Sequence, residues 1–259
     1  MVTELGLGAM DTPTVKEGEE TLHLALDLGI NFIDTAREYQ DSEYLIGKVI
    51  RARGGKDFHI ATKTFSRTRD GSQHEVDRSL GILGVDRIDI YQLHDVSSLQ
   101  AWEEVMQEGG ALEGLKIARE RGLIDYIGIS SHSLDVLERA ILCGEFDTVM
   151  LEYSAFFRDT DRLIGLAKER NVGIIVMRPL GGSGRTSVIR TRMKASGQET
   201  SLTPAMLLRY VLSRPEISVA IPGVRYPSRV RENVQVALSY RPLNESEKME
   251  CEEEAALLF

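Results

Sequence analysis

"INFIDTAREYQDSEYLIG", residues 30–47, decides how the chain is read. Its apolar opening, INFID, ends in a carboxylate, Asp34. A phenol, Tyr39, follows five residues later, and a stretch of helical periodicity then opens at Ser42 and Glu43. A short strand, apolar on both faces, that passes through a brief loop into a helix is half of a βα unit.

The same unit recurs along the chain. Strand candidates lie at 30–35, 58–65, 88–94, 124–130, 147–153, 172–178 and 217–222, and LGLGAM (5–10) supplies an eighth at the start. Helical stretches lie near 16–28, 42–53, 72–83, 111–121, 133–142, 160–170, 203–213 and 228–238. Eight βα repeats in about this length predict an α/β fold of the closed (β/α)8 TIM-barrel kind. An open doubly wound sheet is the competing architecture, but no GxGxxG follows an early strand. The expectation is one barrel domain over 1–259, with a helical tail from about 244. The longest irregular stretch is 181–202.

Composition narrows the function classes. The formal net charge is −9, which argues against nucleic acid as the main partner. No apolar run approaches the ~20 residues of a membrane span. No basic segment followed by an apolar one opens the chain, so a cleaved leader is not expected. Cys143 and Cys251 form no metal or disulfide pattern, and a reducing cytoplasm is the simplest setting. Charge is unevenly spread. Residues 170–231 carry eleven Lys/Arg and two acids, which suggests either chance clustering or a surface that receives an anion.

In a TIM barrel, functional side chains gather at the C-terminal ends of the strands. Those ends carry Asp34, Lys63, His94, Ser130 with Ser131, Glu152 with Tyr153, and Arg178. Tyr39 reaches the same mouth through a short loop. Taken alone, Asp34 reads as a helix cap or ion-pair partner and His94 as a satisfied core histidine. Lys63 is harder to dismiss, because burying an unpaired ammonium is costly. Asp34 is its natural partner. A tyrosine titrates near pH ~10, and a nearby ammonium favours its phenolate. A histidine beside the same point can hydrogen-bond a developing alkoxide. Such a Tyr–Lys–Asp–His set protonates a carbonyl oxygen while hydride reaches the carbon. No side chain gives hydride, so the chemistry requires a nicotinamide cofactor.

The stretches GLGAM, INFIDTAREYQDSEYLIG, IATKTF, IDIYQLHDV, GLIDYIGISSHS, GIIVMRPLGGSG and VAIPGVRYPSRVREN together resemble the aldo-keto reductase superfamily, in order, from residue 5 to residue 233. The resemblance implies NADP(H)-dependent reduction of a small-molecule aldehyde or ketone, with the catalytic tetrad on Asp34, Tyr39, Lys63 and His94. It implies cofactor contacts at Ser130, Ser131, Met150, Met177, Arg178, Leu180, Gly182, Gly184, Arg185, Gly223, Arg229, Glu232 and Asn233. Several of these depart from the family pattern. Ser130-Ser131 stands for Ser-Asn, Met150 for glutamine, Met177 for the stacking tyrosine, and Gly223-Val224 for Lys-Ser. The DTAR and GISSH motifs are similar to a bacterial and archaeal branch, some of whose members carry an iron–sulfur domain; no CxxCxxC cluster occurs here.

Further expectations follow. The loop 95–110 reads as short, which predicts an open, weakly selective pocket. Trp102 either walls that pocket or packs on the barrel surface, and His132 is a candidate to face it. The basic segment, with Arg225 and Arg229, predicts that NADPH is preferred over NADH. No metal site, nucleic acid or membrane partner is expected, and the chain is expected to be a monomer or small homo-oligomer. Competing readings are a cofactor-binding regulatory barrel of the potassium-channel β-subunit type, or a metal-dependent lyase or hydrolase using Asp34, His94, His132 and Glu152. A glycosidase is weaker, because the seventh strand ends in Arg-Pro rather than a carboxylate.

Overall fold

The computed structural model describes residues 1–182 and 202–258. Eight strands form one parallel sheet in chain order: β1 (Leu7–Gly8), β2 (Phe32–Asp34), β3 (His59–Thr64), β4 (Ile88–Leu93), β5 (Ile124–Ser130), β6 (Thr148–Glu152), β7 (Gly173–Met177) and β8 (Val219–Ile221). Parallel bridges Leu5–Ala220 and Gly8–Gly223 bring the eighth strand back to the first. The sheet therefore curls into a (β/α)8 barrel.

Helices α1 (Gly18–Asp27), α2 (Ser42–Arg53), α3 (Arg69–Leu83), α4 (Leu99–Met106), α5 (Ala111–Glu120), α6 (Leu134–Cys143), α7 (Asp161–Glu169), α8 (Pro204–Leu212), α9 (Pro227–Ser239) and α10 (Glu245–Leu258) surround it. Many starts are set by local chemistry. Thr68, Ser98, Ser133 and Thr203 each accept a backbone N–H of the first turn through the side-chain oxygen, a bond worth about 1 kcal/mol per helix. Helix α4 was not expected; it occupies the stretch read as a short loop.

Strand alternation builds two cores. Outward residues such as Leu7, Ile33, Ile60, Tyr91, Ile127 and Val176 pack under the helices. Inward residues Phe32, Ala61, Ile90, Met150, Ile175 and Val219 fill the lumen, with Val2 packed against them. One pleat further along the same inward faces stand Asp34, Lys63, Gln92, Ser130, Glu152 and Met177. Period two thus delivers polar groups to the mouth from strands whose lower halves are apolar.

Candidate active site

Asp34 closes β2 and Lys63 is the penultimate residue of β3, and both are buried. Lys63 Nζ donates to Asp34 Oδ1 at 2.6 Å and to the Thr35 carbonyl at 2.7 Å. Gln92 of β4 donates to the other Asp34 oxygen at 3.2 Å. Burial pushes the Asp34 carboxyl up from its ordinary value, against the pull of Lys63. The ammonium lies 4.7 Å from the centroid of the Tyr39 ring. His94, just past β4, has Nε2 3.4 Å from the Tyr39 hydroxyl. Four groups from three successive strand ends and one loop therefore meet at one point.

One expectation needs correction. The Tyr39 phenol is pushed up, not down, because burial outweighs the nearby Lys63 ammonium. The phenol therefore holds its proton at neutral pH.

The loop after β2 is pinned on several sides. Ser42 Oγ donates to the Ala9 carbonyl at 2.9 Å. Glu43 is buried and accepts from Thr62 Oγ1 at 2.7 Å and from Arg37 Nη1 at 2.6 Å. Ser42 and Glu43 open α2 as expected, but their side chains fasten the helix to strand ends instead of capping it. Positive φ recurs in loops around the mouth. Among the described residues, four non-glycines have positive φ, and three of them directly follow site candidates: Gln40 (45°) after Tyr39, Asp95 (48°) after His94 and Arg178 (53°) after Met177. Such conformations persist only where the surroundings enforce them, and they concentrate at functional sites.

The remaining candidates are distributed around the mouth. Ser130 Oγ accepts from Asp95 N at 2.9 Å, a bond that does not use its own proton. Ser131 Oγ accepts from Ser133 N at 3.0 Å, a local turn before α6. Met177 is half-buried over the lumen, whereas Met150 lies deeper within it. Arg178 is half-exposed and pairs with buried Glu152 at 3.0 Å. Leu180 is half-buried, and Gly182 has φ +78°, open to few residues besides glycine. Gly223 faces open space. Arg229 pairs with Glu232 one turn on, both exposed, and Asn233 is buried in α9. Gly184 and Arg185 lie outside the described residues.

A match to the aldo/keto reductase family model spans residues 4–254, almost the whole described barrel. The chain belongs to the aldo/keto reductase family. The uncharacterized oxidoreductase YqkF of Bacillus subtilis is 28% identical over 95% of this chain and 90% of its own. The aldo-keto reductase yakc [NADP(+)] of Schizosaccharomyces pombe is 28% identical over 88% of this chain and 80% of its own. By structure, the aldo-keto reductase AKR11C1 from Bacillus halodurans, in its holo form, superposes with a TM-score of 0.81, covering 98% of this chain and 92% of that one at 24% identity.

Two residues of this aldo/keto reductase that were left open now have places. Trp102 sits on α4, partly buried against the outer core, its ring 6.1 Å from that of Phe146, so it packs on the barrel surface. His132 Nδ1 is 3.9 Å from Glu152, at the mouth, with its pKa lowered by burial and then by Arg178. The ligand set imagined for a metal is not assembled. Asp34 is taken by Lys63 and Glu152 by Arg178, and among the described residues no three His, Cys, Asp or Glu side chains converge. The residue that sequence reasoning missed is Glu38. It lies next to Tyr39, and its carboxylate reaches His94. Its spacing follows no motif; only the adjacency of β2, β3 and β4 reveals it. No helix among the described residues is long and apolar enough to cross a membrane.

Proposed function

We propose that the chain reduces an aldehyde or ketone to an alcohol with NADPH, Tyr39 giving the proton. One observation carries the reading: a fully buried lysine, locked to Asp34, stands under the ring of a tyrosine whose hydroxyl faces a histidine nitrogen. A structural ion pair needs no phenol at its open end.

The residues present fit a dinucleotide. Ser130 keeps a hydroxyl proton at the end of β5, and the soft, half-buried Met177 stands at the end of β7. Gly181 and Gly182 turn the chain through positive φ after β7. Helix α9 starts at Pro227 with no side-chain cap; Pro227 has no N–H and Arg229 N is bonded to the Tyr226 carbonyl, so the Ser228 amide is the one placed to meet an anion. Arg225 and Arg229 flank that start, each now held by a carboxylate, Asp11 or Glu232. The cofactor named for the Schizosaccharomyces pombe relative is the same one. When bound, the nicotinamide supplies the hydride.

The chain's own part is proton handling and orientation. Tyr39 donates its O–H to the carbonyl oxygen, and the phenolate left behind faces Lys63. Asp34 and the Thr35 carbonyl aim that ammonium. General-acid catalysis of this kind contributes ~10²–10⁴-fold. The test is NADPH oxidation across aldehydes, ketones and quinones. Turnover of several small carbonyls supports the reading; a protein that binds NADPH and oxidises it with none is the regulatory barrel instead. Arg229→Ala should weaken NADPH roughly 10-fold or more and leave NADH binding little changed, since a charge-assisted phosphate contact is worth ~1.5–3 kcal/mol.

A further inference from the structure

We propose that Glu38 is a positioning residue that sets the tautomer of His94: it holds the ring proton on Nδ1, so that Nε2, the nitrogen meeting Tyr39, is bare when the ring is neutral. The inference deepens the reductase reading above and rests on it.

Glu38 sits in the loop between β2 and α2 and bridges two neighbouring strand ends. One oxygen accepts from Phe65 N, just past β3, at 3.0 Å. The other lies 3.0 Å from His94 Nδ1, just past β4. Burial works against its charge, yet the bonds from His94 and Phe65 N hold its carboxyl below the usual glutamate range. An ionised carboxylate only accepts hydrogen bonds. Nδ1 of His94 must therefore be the donor, and the neutral ring is left with a bare Nε2.

Two neighbours restrain the ring and its backbone. Phe65 stacks on one face, centroids 4.2 Å apart and planes 18° from parallel. Arg67 fixes the backbone beneath by donating to the His94 and Asp95 carbonyls, each at 3.0 Å. Two states follow. A neutral His94 accepts the Tyr39 hydroxyl proton as a hydrogen bond. A ring that donates from Nε2 toward a carbonyl oxygen is protonated on both nitrogens, and Glu38 is its countercharge.

The test is the nitrogen NMR spectrum of protein labelled with ¹⁵N-histidine, with His94→Asn identifying the signal. Where the ring is neutral, the wild type should show Nδ1 protonated and Nε2 bare. Glu38→Gln should invert this. Phe65 N keeps the amide oxygen, so the amide NH2 faces Nδ1 and the proton moves to Nε2. Simple loosening of the loop would blur the two forms and not invert them. In parallel, Glu38→Ala should lower kcat about 10- to 100-fold, by analogy with the loss when the hydrogen-bond partner of a metal-ligating histidine is removed, with NADPH affinity little changed. An Nε2-protonated neutral wild type overturns the proposal, as does an unchanged tautomer in a folded Glu38→Gln, or wild-type kcat in Glu38→Ala. If Glu38→Gln does not fold, the wild-type spectrum decides. If the wild type reduces no carbonyl, the reductase reading fails, while the tautomer is still decided without substrate.

Discussion

Two Lys–Asp–His groups sit at opposite ends of the same strands. At the mouth, Lys63, Asp34 and His94 stand at the ends of β3, β2 and β4. At the base, Lys56 precedes β3, His59 opens it and Asp89 lies early in β4. Asp89 accepts from Lys56, from His59 at 2.8 Å and from Ile60 N at 2.9 Å. The residue types match, but the surroundings do not. The side chains of Lys63 and Asp34 are 0% and 4% exposed, against 22% and 16% for Lys56 and Asp89. Burial raises the Asp34 carboxyl. At the base burial also works against charge, yet the Lys56, Ile60 and His59 bonds prevail and hold Asp89 below its ordinary value. A satisfied, half-wet pair clips two strands together. A dry pair spends its charge holding an ammonium beneath a phenol.

The largest break in this comparison should come at the mouth. Asp34→Ala leaves Lys63 buried with only the Thr35 carbonyl. Losing one partner of a buried pair costs about 3–5 kcal/mol, and carbonyl turnover should fall with it; denaturant melts and NADPH oxidation read the two effects. Asp89→Asn should cost about 1 kcal/mol, as for a partly exposed pair, with turnover unchanged. Comparable stability losses at both ends would erase the distinction.

Acid sharpens it. Asp89, with a lowered folded value, adds stability that is present above the ordinary aspartate range, near pH ~4, and lost as pH falls through the folded value. The gap between wild type and Asp89→Asn should therefore close on acidification. Asp34 has the opposite sign. Its contribution is complete below the ordinary value and lost as pH rises through the raised one. A smaller effect concerns Tyr39. Because burial raises its phenol, the pH profile of reduction should show no tyrosine limb below about pH 10.

Much of this was legible in the sequence. The eight strands read correctly because parallel strands are apolar on both faces, though all but β5 are shorter than read. Lys63 and Asp34 paired on paper because a lysine within a strand demands an anion. The rest needed three dimensions. Helix α4 hides in a stretch with one strong apolar face but no neighbouring repeat to announce it. Nothing in the sequence pairs His59 with Asp89; only the register of β3 against β4 brings them together. The rise of the Tyr39 phenol depends on how much chain covers the ring, which no spacing encodes. Glu38 looks like one more acid in a charged loop until β4 places His94 beside it.

The central claim is that the mouth pair serves the phenol above it. Tyr39→Phe tests it most directly, since the change removes one oxygen and leaves the Lys63–Asp34 pair intact. The account predicts a loss of carbonyl reduction of at least ~10²-fold, with NADPH binding and thermal stability preserved. Near-wild-type turnover in this variant would contradict it.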